Sequence, residues 1–184
     1  MKKTLVVLAH PGIEKKSVAN KIIIDKIRAI EGVKIKDLYS EYPSFKFNIE
    51  AEQAALIDAE SIIFQFPFYW YGVPGILKEW IDQVFTYGFA FGSTGDKLKG
   101  KQFLLSTTIG GPEDAYREGS QNNFPVIDIL KPMQQMANLT GMKYNIPLVS
   151  HNMIYIPGVY NKKEDVEQRA KDHAQRLYDY IAAN

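Results

Sequence analysis

Thr4-Leu5-Val6-Val7-Leu8-Ala9 is an apolar, β-branched run in which polar and apolar residues do not alternate. A strand with one wet face would alternate, so this run predicts a strand buried on both faces, as in a parallel sheet covered by helices. After His10-Pro11-Gly12 the spacing turns helical from Ser17, with Ile23, Ile27 and Ile30 on one face and Gly32 as the stop. Val33–Asp37 reads as a second strand, Leu38–Asn48 as a loop, and Glu50–Ala59 as a helix with Ala54, Leu56 and Ile57 turned inward. Ser61–Phe66 is a third strand. Pro74 suits a first helical turn, where its missing N–H has no partner to lose; from it Ile76, Leu77, Trp80, Ile81 and Val84 form an apolar stripe. Phe103–Thr107 reads as a fourth strand and Val126–Leu139 as a helix interrupted or started near Pro132. Tyr144–Val149 is a fifth strand, which Pro147 places at an edge or ends early. The last helix is Val166–Ile181, with Val166, Ala170, His173, Ala174, Leu177 and Ile181 along one face.

Five strands alternating with five helices predict an α/β three-layer sandwich around a five-stranded parallel sheet, in the flavodoxin-like order 2-1-3-4-5. The 184 residues suit a single domain over 1–184, with no internal repeat. Lys plus Arg number 22 and Asp plus Glu 21, so no global basic field draws nucleic acid and no acidic tail is present. The absence of cysteine excludes disulfides, thiolate metal sites and a thiol nucleophile, and fits a reducing cytoplasm. His10, His151 and His173 are far apart in sequence and no metal is indicated; on its helix stripe, His173 reads as a packed residue. Met1-Lys2-Lys3 has the charge of a signal peptide, but the apolar run behind it is strand-sized and far below the roughly 18 residues that span a bilayer.

In this strand order ligands bind outside the carboxyl ends of the strands, where the order reverses, so the loops after strands 1, 3 and 4 carry the chemistry. The first, His10–Lys16, has neither G-x-G-x-x-G nor a Walker A pattern. It offers a helix start at Ser17-Val18-Ala19-Asn20, whose free N–H groups and hydroxyl suit a phosphate, with His10 as a further donor. A plain helix cap at Ser17 is equally compatible, and Lys15 and Lys16 read as solvated. The second loop follows Phe64-Gln65-Phe66-Pro67-Phe68-Tyr69-Trp70-Tyr71, too aromatic for bare solvent; a flat ligand, a subunit interface or both would cover it. In the third, Thr107-Thr108-Ile109-Gly110-Gly111, the paired glycines let backbone approach a ligand. Phe85–Lys99 is a further long connection in which Tyr87, Phe89 and Phe91 recur at alternate positions, as an extended segment on a partner would; it suggests a homodimer whose interface borders the pocket.

Phe66-Pro67-Phe68-Tyr69-Trp70-Tyr71-Gly72-Val73-Pro74-Gly75-Ile76-Leu77-Lys78-Glu79-Trp80-Ile81-Asp82, followed by Gly88-Phe89-Ala90-Phe91, closely resembles the hallmark of the NAD(P)H dehydrogenase (quinone) family. That family includes quinone reductases, general stress reductases and the ancillary flavoproteins of glutathione-gated potassium efflux systems. The resemblance runs from Thr4 to Ile181 and implies a flavodoxin-like fold with bound flavin. By it, His10, Ser17, Val18, Ala19 and Asn20 would hold the flavin phosphate. Pro67, Phe68, Tyr69, Trp70 and Tyr71 would border the ring and ribityl chain, and Thr107, Thr108, Ile109, Gly110 and Gly111 the ring edge. The chain is similar to the short, FMN-binding members, with FAD the alternative. Members with a Tyr and His pair after the Gly-rich loop would place it at Tyr116 and Asn122, so the Tyr matches and the His does not. Tyr116 is then the expected catalytic hydrogen-bond donor.

The resemblance thus implies an FMN-dependent NAD(P)H:quinone oxidoreductase, with one open face serving donor and acceptor in turn. The alternative is an ancillary subunit that regulates a membrane potassium efflux transporter. A one-electron carrier is disfavoured, because such proteins are strongly acidic for docking and this chain is at +1.

Overall fold

The computed structural model describes residues 2–184; Met1 and the side chains of Lys15 and Lys16, read above as solvated, lie outside the description. The elements run β1 (Thr4–Leu8), α1 (Ile13–Lys16), α2 (Val18–Arg28), β2 (Val33–Asp37), α3 (Leu38–Glu41), α4 (Ile49–Asp58), β3 (Ser61–Pro67) and α5 (Gly75–Val84). Then come β4 (Gln102–Thr108), a 3-10 turn (Glu113–Ala115), α6 (Val126–Ile129), α7 (Lys131–Leu139), β5 (Lys143–Tyr144), β6 (Leu148–Ser150) and α8 (Lys163–Ala183). The strands form one parallel sheet in the order β2-β1-β3-β4-β5, with β6 also beside β4.

Strand pleat sends alternate side chains to opposite faces, and each face has its own core. Leu5, Val7, Ile62, Phe64 and Phe103 meet Leu56, Leu77 and Trp80 on the α4–α5 side. Val6, Leu8, Ile63 and Leu104 meet Ile23, Ile27, Val166 and Leu177 on the α2–α8 side. Both faces are therefore dry, which is why the strands read as unbroken apolar runs. His173 sits inside the second core between the hydroxyls of Ser106, 2.7 Å from Nε2, and Ser150, 2.8 Å from Nδ1.

Several local expectations are corrected. The fifth strand splits into β5 and β6, because Pro147 has no N–H for the ladder and Asn145 turns its amide onto Gln102, Phe103 and Lys143. The helix over 126–139, by contrast, is interrupted near Pro132 as expected, dividing at Leu130 into α6 and α7. The supposed loop over 38–48 begins with α3, capped by Asp37, whose carboxylate accepts from Ser40 N–H at 3.3 Å. In α4 only Leu56 of the three expected residues is buried; Ile57 is 52% exposed and Ala54 is outside. The helix is turned instead by Glu52, which is wholly buried: it accepts from Trp80 Nε1 at 3.0 Å and from the Tyr42 hydroxyl, and pairs with Lys36. Finally, the segment after α5 is not extended. Ala90 N–H donates to Thr86 at 3.0 Å and Gly88 N–H to Phe91 at 2.9 Å, and Phe89 turns into this chain's own core, leaving Tyr87 and Phe91 outside.

Candidate functional site

The carboxyl ends of β1, β3 and β4 converge on a cleft of about 310 Å³, at the small end of the range for ligand pockets. Backbone bonds clamp the converging loops to one another. Ala9 N–H donates to Gln65 at 2.9 Å, Phe68 N–H to Thr108 at 2.9 Å, and Ile109 N–H to Ser150 at 2.8 Å.

One end of the cleft is polar and formed by the start of α2. Ser17 caps the helix, its Oγ accepting from Asn20 N–H at 3.0 Å and from Asn20 Nδ2 at 3.2 Å. The cap reading is thus correct, yet as an acceptor Ser17 keeps its own O–H free to donate. Asn20 is buried and locked, giving a second Nδ2 hydrogen bond to Thr108 Oγ1 at 3.0 Å and accepting from Gln65 Nε2 at 2.9 Å. The first turn of α2 carries no acidic residue, so its helix-dipole field favours an anion undiminished. His10 lines the same end; its Nδ1 is buried without a hydrogen-bond partner, and burial holds its pKa below the usual value. A neutral imidazole with an orphaned nitrogen, beside a helix N-terminus, is an incomplete hydrogen-bond set that an oxyanion would complete.

The other end is aromatic, walled by Pro67, Phe68 and Tyr69 on one side and by Thr108, Ile109 and Gly110 on another. Gly110 meets Ile154 in a close approach that the sequence did not reveal: a Cβ there would lie 2.6 Å from Ile154 Cδ1, so a side chain would push the tip of that isoleucine aside. Met153, Ile154 and Tyr155 supply a further wall, held by Met153 N–H donating to Ile109 at 2.9 Å. These three and Pro11 escaped the sequence reading, which took only the loops after strands 1, 3 and 4. The available signal was the fifth strand's place beside β4, which brings the loop after it to the same rim.

The structure brings His10, Ser17, Val18, Asn20, Pro67, Phe68, Tyr69, Thr108, Ile109 and Gly110 together on the cleft wall. Ala19 and Thr107 are buried behind it, and Thr107 Oγ1 has no hydrogen-bond partner. Trp70 and Tyr71 stand away from the cleft wall as the centre of a tight turn closed by Tyr69 and Gly72, which exchange backbone bonds of 3.1 and 3.0 Å. Trp70 is 95% exposed. Gly111 lies against Tyr116, whose ring meets Phe68 edge-on at 6.1 Å. Asn122 faces Tyr71, accepting its hydroxyl at 3.0 Å.

Parallel strands, a reversal between β1 and β3, and an oxyanion-ready helix start at that reversal match one group of known proteins. The chain belongs to the flavodoxin-like fold family. That family's model matches residues 2–180. Among flavodoxin-like relatives, the uncharacterized NAD(P)H oxidoreductase YrkL of Bacillus subtilis is 39% identical over 181 residues, covering 98% of each chain. The glutathione-regulated potassium-efflux system ancillary protein KefG of Escherichia coli is 36% identical over 180 residues, 98% of this chain and 92% of KefG. Among solved structures, general stress protein 14 of Treponema denticola, in complex with FMN, superposes with a TM-score of 0.85 at 33% identity, over 96% of this chain and 98% of that one. An NADPH-quinone reductase from P. pentosaceus gives a TM-score of 0.79 at 28% identity, over 95% and 96%. These likenesses support an oxidoreductase. Among the described residues no group of acidic and histidine side chains is placed to hold a metal, and no helix is long and apolar enough to cross a membrane.

Proposed function

We propose that the chain is a cytoplasmic, FMN-dependent NAD(P)H:quinone oxidoreductase that transfers two electrons as hydride in a ping-pong cycle. The observation that carries this reading is the polarity of the cleft, with an oxyanion end at Ser17 and His10 and an aromatic end at Phe68 and Tyr69. A flavin mononucleotide has the same polarity, phosphate at one end and flat ring at the other. Ser17 O–H, the N–H groups opening α2 and His10 would hold the phosphate; Asn20, already spent on Ser17 and Thr108, would keep Ser17 in place. Phe68 and Tyr69 would border the ring, and the backbone of Thr108–Gly110 would meet its edge. FMN, when bound, supplies the hydride chemistry that no side chain here can. The chain's part is to orient the flat reactants, keep water off one face, and present the Tyr116 hydroxyl as a donor to the acceptor's oxygen. FAD is the alternative cofactor. Exposed Trp70, Tyr87 and Phe91 support a homodimer that covers them and borders the cleft.

A second reading, an ancillary subunit of a potassium efflux transporter, is favoured by the KefG likeness over nearly the whole chain. Copurification with such a transporter would select it, and the reductase activity could persist there.

The visible spectrum of the purified protein tests the main reading. Oxidised-flavin bands that bleach anaerobically with NADH or NADPH are expected, and acid extraction identifies FMN against FAD. A colourless protein that gains no flavin on titration would overturn it.

A further inference from the structure

The charged start of the chain, Lys2-Lys3, sits in a cluster of lysines at the amino ends of the strands, opposite the cleft. Two adjoining grooves open there, one lined by Lys3, Lys34 and Asp58, the other by Lys2, Glu60, Lys99, Lys101 and Lys143. Six lysines thus face two carboxylates, a net of +4 in a chain whose total is +1, so the remainder of the molecule is net negative. Both carboxylates are engaged: Asp58 pairs with Lys3 at 2.6 Å, and Glu60 accepts the Lys3 N–H at 3.1 Å. Lys101 donates to the carbonyls at the end of α4, Ile57 at 2.8 Å and Ala59, which fixes its ammonium beside them. Lys2, Lys34, Lys99 and Lys143 are exposed and form no ion pair among the described residues. Outside the grooves, Asp96 is paired with Lys97 and Glu31 stands in the turn before β2.

The chemistry of this cluster suits a broad surface rather than a discrete anion. Its backbone N–H groups are spent: Gly100 donates to Gly141 at 2.8 Å, Gln102 to Glu60 at 3.0 Å and Lys143 to Lys101 at 2.8 Å. No nest of free donors is left to hold a single phosphate or carboxylate. Neither groove is lined by an arginine or an aromatic ring. Protein interfaces are enriched in those residues and depleted in lysine, and single-stranded nucleic acid stacks on such rings. Hydrated ammonium groups on flexible stems, spread over one end of the sheet, match instead the headgroups of anionic lipids. On the exposed loop after β4, Glu113, Asp114 and Glu118 outnumber Arg117, so an anionic surface attracts one end of the molecule and repels that loop.

We propose that the lysine end docks reversibly on anionic phospholipid bilayers and leaves the cleft facing water. The seven residues of β3 separate the two ends by roughly 20 Å, at about 3.3 Å per residue, so the cleft stays open to water-borne reactants while the protein is bound. Nothing in this docking depends on the quinone reductase reading, which flavin bleaching by NAD(P)H tests separately.

Sedimentation of the full chain with vesicles is the test. Phosphatidylcholine vesicles containing about one-third phosphatidylglycerol should carry the protein down at low salt, pure phosphatidylcholine should not, and salt at about 1 M should release it, because charges are then screened beyond about 3 Å. Each lysine near the surface contributes about fivefold to partitioning, so Lys99→Gln with Lys143→Gln should weaken binding about 25-fold. Lys162→Gln with Lys171→Gln, an equal loss of charge elsewhere on the surface, should leave it within about twofold. Binding to neutral vesicles, equal losses in the two double variants, or no binding at low salt would overturn the proposal. Retention by duplex DNA or polyglutamate but not by the vesicles would assign the patch to an acidic macromolecule and overturn it too. Trp70, 95% exposed at the cleft end, reads the orientation: acrylamide should quench it equally in free and vesicle-bound protein, and protection on the vesicle would mean that the cleft end faces the lipid.

Discussion

The turn at Trp70 permits a quantitative test of whether function has been bought with stability. Trp70 and Tyr71 are the two central residues between Tyr69 and Gly72, and both have positive φ, 45° and 62°. Two-residue hairpin turns with this backbone strongly favour Asn-Gly: asparagine's short side chain hydrogen-bonds to the local backbone and glycine has no Cβ, whereas other residues are strained there by about 1 kcal/mol or more. Trp70 gains almost nothing locally in return. A tryptophan side chain has roughly 200 Å² to bury, and at 95% exposed it hides about 10 Å², worth about 0.3 kcal/mol. Trp70→Asn should therefore stabilise the isolated chain by about 0.7 kcal/mol, raising Tm by roughly 2 °C for a protein of this size. The indole touches none of the cleft wall in the free chain, so it acts on FMN or the donor only through a stack made in the complex; losing such a stack, worth about 1 kcal/mol, should weaken binding about fivefold. Tyr71→Gly is the control: it relieves similar strain but forfeits the bond to Asn122 and the edge contact with Phe68 at 6.4 Å, so its Tm should scarcely move. Circular-dichroism melts of the flavin-free protein across a range of concentrations provide the readout. A lower Tm for Trp70→Asn at the most dilute point would refute the strain argument. A loss seen only at high concentration would assign the indole to a dimer contact.

Three further outcomes are expected. His173, enclosed by Ser106 and Ser150, has its pKa pushed down to about 3, first by burial and then by Arg176. The unfolded chain, with an ordinary imidazole near 6.5, then binds the proton first as pH falls, so stability is full above about 6.5 and declines toward 3. Urea unfolding should show about 2 kcal/mol lost from this group between pH 7 and pH 5, a slope that His173→Gln should abolish. Glu52→Gln leaves Lys36 without its buried counter-charge and should cost about 3 kcal/mol in the same assay, whereas a loss below 1 kcal/mol would show that the pair is wet. In Gly110→Ala the new methyl would start 2.6 Å from Ile154 Cδ1 and must push that side chain aside along the cleft wall; FMN titration should show weakened binding, recovered in Gly110→Ala with Ile154→Ala, and an absence of recovery would place the fault in the glycine's backbone.

The fold was legible because its signals are local. Thr4–Ala9 and Ser61–Phe66 declare double-sided burial by composition alone, and the stripe on α5 and the full buried face of α8 follow from side-chain spacing along single helices. Strand order then comes from the common flavodoxin-like arrangement of five such strands, and the three loops of the cleft from strand order. Apart from α3 with its local cap at Asp37 and the turn over Thr86–Phe91, what failed depended on a partner far along the chain. Glu52 looks like an ordinary surface glutamate until Trp80, 28 residues on, donates to it and sets which face of α4 is inside. Asn20 and Thr108 are 88 residues apart and Gly110 and Ile154 belong to different loops, so neither contact leaves a periodicity or a spacing to read. Tyr116 could be singled out by its motif; of the three histidines His10 reads as a phosphate donor and His173 as a packed residue, which leaves His151, but no spacing in the sequence shows that it meets Tyr116. Only the meeting of β6 with β4 decides that His151 is the one beside it: chain-local rules determine where each element forms, while which side chains touch across elements is decided by how those elements share buried space.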